Sequence, residues 1–215
     1  MNTRRTALLL VILTVCVLLS APAGAEVVGR TYDGYIHRYT ADNGQDLYFV
    51  STTEEPLVQY DDVNFDGHHD LTVVTALGAS NAYYEFYIWN GTEYTLAERW
   101  TGDMINYFLV DGKYVVSQSN DGNAGLLSRT EICVWEGDVL KTIRTMVSEE
   151  EVSIQWEGRI MTETTNLDRL HVTLCEVDGL AGSAEVLWEK TYEPMPEGAE
   201  AMEEMDAHLW DGLRV

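Results

Sequence analysis

Tyr83-Tyr84-Glu85-Phe86-Tyr87-Ile88-Trp89 runs directly into Asn90-Gly91. Tyr84, Phe86 and Ile88 recur at every second position, which in an extended chain places them on one face. Asn-Gly supplies the positive φ angles of a tight hairpin turn. The stretch therefore predicts a half-buried strand that ends at a hairpin. The same grammar recurs outward in both directions. Asn43-Gly44, Asp111-Gly112, Glu136-Gly137, Glu157-Gly158 and Asp178-Gly179 each separate runs rich in Val, Ile, Tyr, Thr and Leu, and Thr130–Trp135 alternates in the same way. Many short strands with regular turns predict an all-β domain. Trp-x-Gly occurs at Trp89, Trp135, Trp156 and Trp210, and the first three close predicted strands. That pattern predicts a small β-propeller-like array of hairpins, with a β-sandwich meander as the alternative. The tryptophans read first as packing groups. The functional alternative is a sugar-stacking platform to which Tyr83, Tyr84, Tyr87, Tyr94 and Tyr107 would add.

The two ends differ from this pattern. Arg4 and Arg5 precede an apolar run, Ala7–Leu19, and Ala23-Gly24-Ala25 forms a small-residue exit. Residues 1–25 thus read as a secretory signal peptide, and the apolar run is short for a bilayer span of ~20 residues. Val15 before Cys16 argues against a lipidated cysteine. At the other end, Pro196 followed by Glu197–Leu209 predicts a helix, with Glu197 and Glu200 at its positive pole. Met195, Ala199, Met202, Met205 and Leu209 form its apolar stripe, and Asp211-Gly212 stops it. The expected organisation is a signal peptide at 1–25, an all-β domain at 26–193, and a C-terminal helix and tail at 194–215.

Among 215 residues, Asp and Glu number 36 and Lys and Arg 13, giving a formal charge of −23. Signal removal takes away two arginines and no acid, so the mature charge becomes −25. Such a surface repels nucleic-acid phosphates and anionic lipid, and suits cations or a basic protein partner. Two cysteines remain in the mature chain, Cys133 and Cys175. They allow one disulfide or two buried thiols and exclude a disulfide-rich scaffold.

Chemistry concentrates in Asp62-Val63-Asn64-Phe65-Asp66-Gly67-His68-His69-Asp70-Leu71. Oxygen-bearing side chains fall at loop positions 1, 3, 5 and 9, with glycine at 6. Calcium takes six to eight hard oxygen ligands, and this spacing wraps them around one point. Asp62, Asn64 and Asp66 would each give a side-chain oxygen, His68 its backbone carbonyl, and Asp70 an oxygen directly or through water. Gly67 allows the sharp turn. Position 12 is Val73, where a helix–loop–helix hand needs a bidentate glutamate, and the flanking Pro56–Tyr60 and Leu71–Leu77 read as extended. The expected site is therefore a strand–loop–strand calcium loop. Its bland alternative is an Asx-rich turn without an ion. Magnesium prefers a tighter octahedron. His68 and His69, adjacent in extended chain, point oppositely and are poor joint ligands.

The loop and the Val/Thr strand after it resemble the calcium-loop hairpins of FG-GAP and VCBS-type proteins, secreted bacterial and integrin-head β-propellers. The likeness extends to small secreted bacterial proteins with one such loop, Tyr-rich strands and a Tyr/Trp-x-Gly hairpin. Here it covers roughly residues 45–145, through Tyr84–Gly91, Tyr114–Ser117 and Ser128–Gly137. The resemblance implies a propeller-like fold and bound calcium. Some relatives of this type inhibit lysozyme, and no inhibitory loop can be matched onto these residues.

No catalytic signature is present. Gly-x-Ser-x-Gly, His-Glu-x-x-His and a glycine-rich phosphate loop are all missing. His37 and His171 fall in predicted strands and read as structural. The acid runs Glu149–Glu151 and Glu203-Glu204 read as solvated faces. The sequence thus points to an extracytoplasmic, calcium-binding, non-enzymatic β-domain acting as a binding module. The alternatives are an inhibitor of a basic cell-wall-degrading enzyme such as lysozyme, and a glycan-binding or glycan-acting protein.

Overall fold

The alternation read from the sequence becomes a chain of antiparallel hairpins. The computed structural model describes residues 24–99, 103–122, 126–157, 160–178, 183–194, 196 and 199–213. Residues 1–23 of the expected signal peptide, and Met195 of the expected helix stripe, lie outside the described residues. Two compact units divide between Val58 and Gln59.

In the first unit, β1 (Glu26–Arg30), β2 (Tyr35–Thr40) and β3 (Asp46–Ser51) form one antiparallel sheet. The predicted Asn43-Gly44 turn joins β2 to β3, with Gly44 at φ 85°. β3 alternates strictly between exposed and buried residues. His37 is fully buried, its ring stacked 5.3 Å from that of Phe49, with Nε2 3.0 Å from the Thr53 carbonyl. Its Nδ1 is buried without a hydrogen-bond partner.

Two further sheets follow. β4 (Val58–Asp61), β5 (Asp70–Leu77), β6 (Ala82–Trp89) and β7 (Tyr94–Leu96) are neighbours in that order, and β9 (Met104–Ile105) also pairs with β6. The other sheet is a meander: β10 (Phe108–Val110), β11 (Tyr114–Gly122), β12 (Leu127–Glu136), β13 (Val139–Glu157), β14 (Ile160–Asp178) and β15 (Ser183–Tyr192). Short β8 (Glu98–Arg99) runs parallel to the start of β13, where β14 does not reach. Asn90-Gly91, Asp111-Gly112 and Glu136-Gly137 each lie between two adjacent antiparallel strands, and Gly158 and Gly179 of the two remaining predicted turns lie outside the described residues. The protein is thus all-β with one C-terminal helix. Among the described residues the sheets are open ladders, and no closed barrel or propeller is formed.

The meander is buried on both faces, because neighbouring residues serve different cores. Val116 and Ile132 join a cluster with Met205, Leu209 and Trp210 of helix α1 (Ala199–Trp210). Val115 and Cys133, one position away, join a second cluster with Phe86 and Ile88 of β6 and with Val63. Leu140 and Met146 of β13 should share a face by parity. The register shift between Thr142 and Arg144 inserts one residue and sends them to opposite cores.

Helix α1 forms where expected, with Glu200 in its first turn and Gly212 at φ 71° just past its end. Its buried stripe is rotated from the expected one. Ala201, Met205 and Leu209, spaced four apart, and Trp210 are buried, whereas Met202 is 44% exposed. No helix among the described residues is long and apolar enough to cross a membrane.

Candidate metal centre

The loop from Asp62 to His69 joins β4 to β5, so the strand–loop–strand arrangement is formed. Its path is set by side-chain oxygens that turn inward onto the loop's own backbone. Asp62 accepts the Asp66 N–H through Oδ1 and the Gly67 N–H through Oδ2, both at 3.0 Å. Asn64 Oδ1 accepts the same Asp66 N–H at 3.1 Å, and Asp66 Oδ1 accepts the His68 N–H at 2.8 Å. The Asn64 amide donates to Asp66 Oδ2 at 3.0 Å. Phe65 at φ 62° and Gly67 at φ 86° make the tight reversal. A Cβ on Gly67 would meet nothing within 4 Å, so its left-handed backbone, not crowding, favours glycine there.

Asp70 plays a different part. It is fully buried at the start of β5. Its Oδ2 accepts the N–H groups of Val63 and Asn64 at 3.1 and 3.3 Å, and its Oδ1 accepts the N–H of Trp89 at 2.8 Å. Burial pushes this carboxyl up to about 6 despite the three donors, and the nearby charge of Asp66 adds to the rise. The side chain staples the loop's first turn to the end of β6.

A carboxylate offers about four lone-pair sites. Asp62 and Asp66 each spend two on the loop, Asn64 Oδ1 spends one of its pair, and Asp70 spends three. Asp62, Asn64 and Asp66 are therefore brought together with acceptor capacity left over. Asp70, with three accepted bonds, has little to spare, which suits contact through water. The donor set is oxygen only, the chemistry that calcium takes. His68 and His69 are both exposed. Among the described residues no group of three or more Asp, Glu, His or Cys side chains is arranged to hold a metal ion; a site here depends on the amide oxygen of Asn64.

Contacts from distant sequence fix the loop in place, and none was read from the sequence. Val63 is fully buried in the core between the β6 sheet and the meander, and Phe65 packs against that core. The Trp135 indole N–H donates to the Val63 carbonyl at 2.6 Å. The Tyr107 hydroxyl donates to Asp61 Oδ2 at 3.2 Å, and burial pushes that phenol up to about 12.

Of the aromatics weighed as a sugar platform, Tyr87, Tyr94 and Trp210 are buried. The Tyr84 ring meets that of Tyr107 edge-on at 4.8 Å, and the side chain of Trp156 lies outside the described residues. His171 of β14 lies within 3.2 Å of Thr173, Thr191 and Glu189.

Cys133 and Cys175 are both free. Cys133 pairs across to Thr142 of β13, and Cys175 pairs with Thr145 on that strand's other side. Two strand spacings put them roughly 10 Å apart, beyond the ~7 Å Cα limit of a disulfide. Denatured protein prepared without residues 1–25 should therefore release two titratable thiols without reductant. One disulfide by intact-mass analysis would contradict the register of β12–β14.

No protein-family model, curated protein or solved structure matches the chain.

Proposed function

We propose that this chain is an exported, calcium-binding, non-enzymatic β-domain that acts as a binding module. The observation that carries the reading is the loop Asp62–Asp70. Three oxygen-bearing side chains at the calcium spacing turn inward within one hairpin connection with acceptor capacity to spare, and the fourth, Asp70, ties that loop to β6. In this reading Asp62, Asn64 and Asp66 bind the ion directly, the His68 carbonyl adds a ligand, and Asp70 reaches it through water. The ion neutralises carboxylates that otherwise repel one another. The resemblance to FG-GAP and VCBS hairpins is carried over to this hairpin alone. The basic leader-like start favours export.

Calcium at a hundredfold excess over its Kd stabilises a native state by about 2.7 kcal/mol. For a domain of this size that is a rise of about 5–10 °C in Tm. The expected result is that rise on adding calcium, its reversal by chelator, and its loss in Asp66→Ala. An identical Tm in calcium and in chelator would remove the ion from the account.

The mature charge of −25 favours one narrower reading, inhibition of a basic cell-wall-degrading enzyme. Association would then be steered by charge and fall steeply with salt. Unchanged lysozyme turnover at stoichiometric excess and low salt would reject it. A glycan-stacking role draws less support, since the rings that would build the platform are largely packed into the cores.

A further inference from the structure

A cleft of about 200 Å³ opens between α1 and strands β10–β13. Val116 and Met146 line its inner wall, and Gln118 gives the floor a polar group. Phe108 and Met202, the exposed apolar residues of the lining, are 45% and 44% exposed. Pockets for drug-sized ligands run ~300–1,000 Å³, so this one accommodates a single large side chain rather than a small-molecule ligand. Methionine at the opening adapts its shape to what enters.

One edge of the cleft is acidic. Asp206 lines it, with one oxygen accepting the Trp210 indole N–H, and Glu203 stands one turn before it on the adjoining face, both exposed. Helix α1 contains no Lys or Arg. Glu200 and Glu204, one turn apart, lie on the face away from Asp206, and there Glu204 is bound by Lys190 and by the Tyr192 hydroxyl of β15.

We propose that this cleft docks a basic polypeptide segment, which inserts one large apolar side chain between Phe108 and Met202 and sets Lys or Arg against the acidic edge of α1. The inference rests on the binding-module reading and gives that reading a surface and a partner class. Charge complementarity selects the occupant: the edge attracts a cationic peptide and repels nucleic acid and anionic membranes.

The test uses the full chain with ¹³C-methyl methionine labelling and four synthetic decapeptides. Three are lysine-rich with a central Trp, Leu or Ala, and the fourth carries the central Trp among glutamates. The Trp and Leu peptides should shift the Met202 and Met205 methyl signals. The Ala peptide should bind about tenfold more weakly or worse, and the glutamate peptide should not bind. Met202→Ser, which removes the apolar wall without adding a charge that would itself attract lysine, should lower affinity for the Trp peptide several-fold at unchanged Tm. Methyl signals that stay still with every peptide would overturn the proposal, as would equal binding of the Trp and Ala peptides or of the lysine and glutamate peptides. Titrations run in calcium and in chelator separate the two ideas. Peptide binding without any calcium-dependent Tm shift removes the ion alone, whereas a full calcium response with silent methyls removes the cleft alone.

Discussion

Asp70→Ala is expected to cost about 3–5 kcal/mol of folding free energy, because each buried donor left without a partner costs ~1–3 kcal/mol. Three backbone N–H groups lose their acceptor, those of Val63, Asn64 and Trp89. Val63 is fully buried, while Asn64 and Trp89 are half-buried and recover part of the loss from water. Asp70→Asn should be milder, at about 1–3 kcal/mol, since one carbonyl oxygen can keep one side of the staple but not both. Burial raises this carboxyl to about 6, so the charged form is held at some expense, and the neutral amide avoids that part. Urea denaturation reads both variants as a fall in midpoint at constant slope. An alanine variant within 1 kcal/mol of the parent would mean that the loop is held by Val63 and Trp135 and not by the carboxylate.

The ranking bears on how the loop could hold an ion. Asp62, Asn64 and Asp66 shape a turn local in sequence, within six residues. Asp70 links that turn to β6, nineteen residues away. A loop tied down at both ends is preorganised, and preorganisation lowers the ordering cost of binding. The aspartate at position 9 thus serves mainly to hold the other three in place.

Local features were legible because their causes are local. Asn43-Gly44 and Asn90-Gly91 turn their hairpins because Gly44 and Gly91 take positive φ, while neither asparagine does. The face shared by Tyr84, Phe86 and Ile88 follows from strand period alone, and all three meet the same core. The strand–loop–strand frame of Asp62–Asp70 followed from the missing glutamate and the Val/Thr run. What pairs with what was not legible. The Trp135 side chain reaches Val63 across seventy-two residues, and no spacing rule encodes such a contact. Asn106 is similar: its amide donates to the Ser80 and Gln118 carbonyls and to Asn81 Oδ1, and its own Oδ1 accepts the Ala82 N–H. A lone asparagine between Ile105 and Tyr107 gives no sign of tying the end of the β5–β6 hairpin to the meander. The rotation of the α1 stripe has the same origin. Met202 and Ala201 are both apolar, and the shape of the sheet beneath decides which is covered.

Trp210→Ala should be the second large loss, about 3–5 kcal/mol, the range for truncating a core tryptophan. The sequence placed Trp210 in a repeat of Trp-x-Gly turns, but its surroundings are those of a core residue. It is 6% exposed, its ring meets that of Tyr114 at 5.6 Å in an edge-on pair, and its indole N–H donates to Asp206 Oδ1 at 3.0 Å. The last turn of α1 is fastened around it. The Arg144 guanidinium donates to the carbonyls of Leu209 and Asp211 at 2.8 and 2.7 Å, which satisfies helix-end acceptors and opposes the negative pole. The Tyr114 hydroxyl donates to the Leu213 carbonyl at 3.1 Å. Arg144→Ala should therefore cost less than the tryptophan change, about 1–3 kcal/mol, because only hydrogen bonds to a charged donor are lost. If α1 belongs to the meander's core, Trp210→Ala lowers the urea midpoint of the whole second unit in one cooperative step. A helix that melts alone, leaving the β signal unchanged, would make α1 an appendage and its cleft a transient one.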